Sequence, residues 1–225
     1  DSPYGTFSDY VSLNPYWNPY DEEGRLVKSF TTFGSSTSTS PIANPLWEGS
    51  INKFDKDKYT NIRNTFRVEW DVAKGLKLST NFGYTSQTDR EDRFVPKSSN
   101  EFNNTSDPDA MGSYTWGYRE MRSWQLGLTT SYGNTFGRHS VFVGLDGSLY
   151  DTKSLGYSLW VRGFANDKLT DISNAAGFAT ERPTATDTQS RRVGFTATGN
   201  YNYDSRYFVD FSYRLDGSSS FGSLN

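Results

Sequence analysis

Hydrophobic and polar positions alternate with period two along most of the chain after residue 60, which predicts extended strands with one apolar face. The pattern is cleanest in the stretch from Arg191 to Gly222. There Val193, Phe195, Ala197, Gly199, Tyr201 and Tyr203 fall on one face, and Gly194, Thr196, Thr198, Asn200 and Asn202 on the other. A tight turn at Asp204-Ser205 leads to a second strand, with Tyr207, Val209, Phe211, Tyr213 and Leu215 opposite Asp210, Ser212, Arg214 and Asp216; Phe208 alone is discordant. The same alternation recurs in four more strands. Phe66, Val68, Trp70 and Val72 alternate with Arg67, Glu69 and Asp71, and after a turn at Gly75 come Leu76, Leu78, Thr80, Phe82 and Tyr84. Trp124, Leu126, Leu128, Thr130 and Tyr132 oppose Ser123, Gln125, Gly127, Thr129 and Ser131. Val141, Val143, Leu145, Gly147 and Leu149 oppose Gly144, Asp146 and Ser148, with Phe142 and Tyr150 breaking the polar face.

The connections also alternate. Ala73 to Gly75, Asn134 to Arg138 and Asp204-Ser205 are short, whereas Thr88 to Glu120 and Lys153 to Ser190 are predicted as long loops, the first open to a strand extension near its end, where Tyr114, Trp116 and Tyr118 alternate. Short turns on one side and long loops on the other are the habit of a transmembrane β-barrel, and strands of about ten residues suit a tilted membrane crossing. A soluble β-sandwich explains neither feature well. Residues 1 to 60 are different, rich in Pro, Asn, Tyr, Trp, Ser and Thr, and are expected to form a long extracellular loop region with a short strand within Arg25 to Phe33, before the serine/threonine run Ser35 to Ser40. Barrel strands are expected over 61–225.

Composition agrees with an all-β reading. Only 34% of residues are hydrophobic, and mean hydropathy is -0.74, yet 16% are aromatic and 20 are glycine. No apolar run reaches the about eighteen residues that a membrane helix needs, and barrel strands hide their apolar half in alternation. A formal charge of -3 gives no basic footprint for nucleic acid. With no cysteine, thiolate metal sites, disulfides and cysteine nucleophiles are excluded together. Six strands are legible with two further candidates, against the about eight of the smallest closed barrel, and barrels that small do not usually carry loops above about thirty residues. Open edges would then remain at Asn61 and Gly222, so the expectation is an antiparallel transmembrane β-barrel segment, one part of a larger barrel whose other strands pair with those edges. The chain opens at Asp1 without a leader, which is expected to be processed away or to lie upstream.

Candidate chemistry is sparse. His139 is the single histidine and has no Cys or clustered carboxylate beside it, so no catalytic residue is expected. Asp107-Pro108-Asp109 and Asp21-Glu22-Glu23 lack EF-hand spacing and are expected to be solvated loop carboxylates; neither metal nor cofactor is assigned. Trp70, Tyr84, Trp124, Tyr132, Tyr201 and Tyr213 sit on apolar strand faces and are candidates for a membrane girdle. Tyr16, Trp17, Tyr20, Trp47, Tyr114, Trp116 and Tyr118 fall in predicted loops, where flat faces can stack on sugar rings or meet a partner protein, with ordinary packing as the competing role. Glu69, Asp71, Asn81, Asp146, Asn200, Asp210 and Arg214 would face a wet lumen.

The segment GNYNYDSRYFVDFSYRLDGSSSFG closely resembles the barrel of SusC/RagA-type TonB-dependent outer-membrane transporters, in which N-Y-x-Y-D is followed by R/K-Y and then R-x-D-G-S-S-x-F-G. SPYGTFSDYVSLNPYWNPYDEEGRL, NPLWEG and the E-W-x-V strand Glu69 to Val72 match upstream in the same order. The resemblance implies a plugged barrel of about 22 strands in a bacterial outer membrane. It also implies import of oligosaccharides or peptides with a SusD-like surface lipoprotein as lid and the TonB complex as energy source. Neither plug nor TonB box is recognisable in this chain. A passive porin-type channel and a soluble carbohydrate-binding β-sandwich are the rival readings.

Overall fold

The computed structural model describes residues 11, 13–30, 41–179 and 182–219. Residues 2–10 of the SPYGTFSDY match, the run Ser35 to Ser40, and Ser220, Phe221 and Gly222 of the DGSSSFG tip lie outside the described residues. Within the described residues the fold is all-β and antiparallel with short helical turns. A small sheet pairs β1 (Ser29–Phe30) with β2 (Ile42–Ala43), Ser29 opposite Ala43 and Phe30 opposite Ile42. So the strand expected within Arg25 to Phe33 is limited, as described, to two residues. Helix α1 (Pro45–Ser50) follows.

The main sheet comprises β3 (Phe54–Ala73), β4 (Leu76–Val95), β5 (Ser113–Phe136), β6 (His139–Phe164), β7 (Ala175–Phe178), β8 (Thr184–Tyr203) and β9 (Tyr207–Ser218). Its order is β3-β4-β5-β6-β8-β9, with β7 on β6, so each long strand pairs with the next one in the chain and the sheet is not closed within the described residues. Five of these strands run 20 to 26 residues, about twice the predicted length. The long loop expected over Thr88 to Glu120 is therefore mostly strand, leaving 96–112 as the connection. The one expected over Lys153 to Ser190 shrinks to the segment between Phe164 and Thr184, itself containing β7. The reason is physical: polar and charged residues on both faces erase the apolar alternation although the backbone ladder continues.

The chain divides into two compact units. One comprises 1–58, 89–118 and 157–185; the other comprises 59–88, 119–156 and 186–225. In the second unit the register of the last hairpin runs from Arg192↔Ser218 to Tyr203↔Tyr207, which puts Val193, Phe195, Ala197, Gly199 and Tyr201 beside Gly217, Leu215, Tyr213, Phe211 and Val209. Its turn has positive φ at Asp204 (51°) and Ser205 (54°), the mirror-image turn whose twist fits the flanking strands. Asp tolerates that conformation better than most residues. The Asp204 amide also donates to the carbonyl of Arg138 (2.8 Å), tying this turn to the one between β5 and β6.

The first unit has a small packed core. Phe94, Tyr114, Val161 and Phe164 are buried together, with Phe54, Trp116, Leu159, Ile172 and Ala175 against them. Phe94 meets Phe164 edge-on at 5.1 Å between ring centroids, a geometry that sets the electropositive ring edge against the opposing π-face.

Candidate functional site

Among the described residues of the second unit, the sheet has one face whose apolar side chains stand exposed. Phe66, Val68, Trp70 and Val72 of β3, Trp124, Leu126 and Leu128 of β5, and Val143, Leu145 and Leu149 of β6 are exposed; so are Val193 and Phe195 of β8 and Val209, Phe211, Tyr213 and Leu215 of β9. Contiguous exposure of this kind marks a face that meets lipid or another protein, because in water it would be an aggregation liability.

The opposite face is built from polar pairs laid over glycines. The Thr129 hydroxyl donates to Asp146 (2.7 Å), the Asn200 amide to Asp210 (2.6 Å), and Arg214 pairs with Asp216 (2.6 Å). A Cβ at Gly83 would fall 2.8 Å from Gln125, one at Gly144 2.7 Å from the Thr198 hydroxyl, and one at Gly194 2.8 Å from that of Ser148; a Cβ at Gly127 would collide with Asn81. Each glycine gives the polar side chain of the neighbouring strand room to lie flat, so this face keeps its hydrogen bonds without bulk. Glu69 pairs with Arg67 (2.6 Å), and Asp71 lies 3.7 Å from Lys77. Phe142, discordant in the sequence, lies against Gly133, and Tyr150 lies 5.3 Å beneath the Arg192 guanidinium. Both exceptions are thereby accommodated on a polar face.

Among the girdle candidates, Trp70 (60% exposed), Trp124, Tyr201 and Tyr213 are open, while Tyr84 and Tyr132 are half-buried. Trp70, Tyr132 and Tyr201 stand within four residues of a short turn. Beside Tyr201 stands His139. Its Nδ1 is 2.7 Å from the Tyr201 hydroxyl and its ring 4.9 Å from that of Tyr203, which stacks in turn near Tyr207 at 6.5 Å. Held between these phenols, the imidazole has a packing role.

The first unit accounts differently for the remaining aromatics. Tyr114, Trp116 and Tyr118 lie in β5, not in a loop, and continue its even-numbered apolar series; the Tyr-x-Trp-x-Tyr spacing was itself the strand signal. Tyr114 is 9% exposed and its hydroxyl donates to Asp92 (2.7 Å), which makes it a core residue. Trp116 and Tyr118 stack on each other, 6.2 Å apart and 9° from parallel. Trp17 stacks on Phe30 at 5.2 Å, and the Trp47 indole donates to the carbonyl of Ser98 (3.1 Å). Tyr16 (93% exposed) and Tyr20 remain open to solvent.

The segment Asn44 to Gly49 does more than its composition suggests. Asn44 is fully buried; it caps α1 by accepting from the Leu46 amide (3.1 Å) and donates to the carbonyls of Pro19 (3.1 Å) and Val27 (2.7 Å). Glu48 then accepts from the amide of Asn100 (2.6 Å) and the hydroxyl of Ser99 (3.0 Å), and lies 3.5 Å from Lys53. Asn100 completes the link by donating to the carbonyl of Lys28 (2.7 Å). Asn followed by Pro at the first helical position is a helix-start signal that could have revealed this role.

The acidic clusters also have structural uses. Asp107 caps a helical turn through the amide of Asp109 (3.0 Å), and Asp21 accepts from the amides of Glu23 (2.9 Å) and Arg25 (2.8 Å). Those bonds from the Arg25 backbone, aided by its side chain, hold the Asp21 carboxyl below its ordinary pKa. Among the described residues no group of three or more His, Asp or Glu side chains is placed to hold a metal ion. Burial, reinforced by the donated bond to Asp92, pushes the Tyr114 phenol up to about 12. The neutral phenol is the form that the fold favours. Stability is therefore unaffected by this group below pH 10 and falls as pH rises from 10 toward 12, where the unfolded phenol ionises and the folded one resists. We expect Tyr114→Phe to flatten the decline in loop-end stability between pH 10 and 12, measured by proteolytic susceptibility across that range; an unchanged decline would assign it to other phenols.

These features define a class, the wall of an antiparallel β-barrel, with one apolar and one polar face. The particular likeness follows the motifs. The chain is 25% identical over 172 residues to TonB-dependent receptor P3 of Formosa agariphila, a match covering 76% of this chain and 17% of that protein. It superposes on a chain in the structure of the RagAB peptide transporter with a TM-score of 0.70 and 22% identity, covering 92% of this chain and 22% of that one. For the RagAB peptide importer in the open-open state the TM-score is 0.71 at 21% identity, over 93% and 22%. No family model matches the chain. The chain thus spans about a fifth of the length of these relatives, and the resemblance to SusC/RagA-type TonB-dependent transporters read from its motifs is met by both sequence and fold. No helix among the described residues is long and apolar enough to cross a membrane, which says nothing of strands.

Proposed function

We propose that this chain forms part of the barrel wall of a TonB-dependent importer in a bacterial outer membrane, taking up oligosaccharides or peptides with a SusD-like lipoprotein as its lid. The observation that carries the reading is the uncovered apolar face of the second unit, backed by a face of satisfied polar pairs. Lipid covers the first, and the lumen with its plug hydrates the second. Trp70, Tyr84, Trp124, Tyr132, Tyr201 and Tyr213 would anchor the strands at the membrane interfaces, and residues 1–60 would form an extracellular covering held by Asn44 and Glu48. Of the loop aromatics, Tyr16 and Tyr20 keep the open faces that contact with a ligand or lid requires. The likeness to a peptide transporter supports peptides as one substrate class.

The test is uptake by the full-length protein in its native host. Import should collapse when a protonophore dissipates the proton-motive force and when the neighbouring lid gene is deleted. Uptake that persists under the protonophore would instead identify a passive channel.

A further inference from the structure

The first unit contains a cleft of about 500 Å³ lined by Arg93, Glu101, Ser113, Thr115, Trp160 and Arg162 among others. Its charges are unevenly matched. Glu101 is held by Lys53 (2.8 Å) and Arg93 (3.2 Å), and Arg93 also lies 3.8 Å from Asp55, so these groups compensate one another. Arg162 is different: among the described residues its side chain makes no ion pair or hydrogen bond, and it is exposed. Its cross-strand partner on β7 is Gly177, which offers no side chain at all, and a Cβ built there would meet nothing within 4 Å. Two residues earlier on the same strand face stands Trp160, 46% exposed although tryptophan ordinarily buries most of its ring. The hydroxyl-bearing residues Ser113 and Thr115 line the cleft beside them.

An unengaged guanidinium, a bare indole and hydroxyl side chains in one cleft form a recognition set for a carboxylate carried next to a flat apolar surface. We infer that this cleft is a ligand subsite that takes a carboxylate through Arg162, with Trp160 packing on the adjoining ring or side chain. The inference rests on the importer reading, of which it specifies the substrate chemistry. Two sources share that chemistry, an acidic sugar and a peptide C-terminus.

The experiment titrates the purified full-length protein calorimetrically with trigalacturonate, with N-acetyl-tetraalanine bearing a free carboxylate, with its C-terminal amide, and with maltotriose. At least one carboxylate probe should bind, and the amide and the neutral sugar should bind more weakly. Arg162→Gln should weaken the carboxylate probe by about ten- to a hundredfold, the weight of a hydrogen bond between charged groups, and remove the preference over the uncharged analogue. Arg162→Lys should restore part of it, and Trp160→Ala should weaken all ring-bearing probes. Arg162 is exposed, so its substitution leaves folding intact, which heat-modifiable gel mobility verifies. Which carboxylate binds identifies the source. Failure of both to bind, or binding that is equal in Arg162→Gln, overturns the subsite. Uptake sensitive to protonophore alongside that failure would leave the importer reading standing, so the two can fail separately.

Discussion

Valine at Gly75 is expected to prevent the barrel wall from assembling. Gly75 turns the chain between β3 and β4 with φ +79°, and a Cβ there would strike the carbonyl oxygen of Gly133 on β5. That contact is fixed by the Gly133 amide, which donates to the Gly75 carbonyl at 2.9 Å, so the neighbouring backbone cannot move aside without losing its own bond. A β-branched residue at positive φ adds roughly 1–2 kcal/mol of strain. Gly137, in the turn between β5 and β6, separates the two effects. Its φ is +62°, but nothing lies within 4 Å of a built Cβ. Gly137→Val should therefore cost only the strain and assemble in reduced yield, whereas Gly75→Val should leave almost no heat-modifiable, membrane-inserted protein. Equal yields of the two variants would show that the backbone approach at Gly133 is unimportant.

The second large effect concerns the covering of the first unit. Asn44→Leu preserves approximate bulk in a fully buried position but removes a cap and two donors. The part-buried Leu46 amide and Val27 carbonyl then lose these partners, and the expected loss is roughly 2–4 kcal/mol of local stability. Because Asn44 joins residues 19 and 27 to α1, the loss should appear as rapid proteolytic cleavage within 13–30 while the strands of the second unit stay protected. Asn44→Asp should be no milder, since its carboxylate keeps the cap at Leu46 but sets a buried anionic oxygen against the carbonyls of Pro19 and Val27. Cleavage unaltered by Asn44→Leu would mean that the segment is held elsewhere.

Much of the sheet is legible in the sequence, and the reason is instructive. In the second unit, where one face is apolar, every strand shows alternation from Phe66 to Leu215, and the short turns fall close to their predicted places. Where both faces are wet or packed, the signal disappears. Thr88 to Val95 reads as a charged loop, yet its backbone continues β4, and only the spacing of Tyr114, Trp116 and Tyr118 hints that β5 begins so early. The same blindness affects the candidate sites. Tyr114 and Trp47 look available because aromatics in polar stretches resemble ligand platforms; burial and the bonds to Asp92 and Ser98 depend on distant residues that no local pattern displays. Trp160 and Arg162 fall in Lys153 to Ser190, a stretch that reads as an ordinary long connection. Their significance comes from strand alternation and from the glycine across from Arg162.

On the barrel-wall reading, Trp124, Leu126 and Leu128 of β5 face lipid, and Gln125 and Thr129 face water. The chain contains no cysteine of its own. Single cysteines at Leu126 and Leu128, and at Gln125 and Thr129, can therefore be compared in the full-length protein within intact outer membranes, using a membrane-impermeant maleimide. Rapid labelling at Gln125 and Thr129 with protection at Leu126 and Leu128 is the predicted result. Labelling at Leu126 and Leu128 with protection at Gln125 and Thr129 would contradict it and turn the sheet inside out.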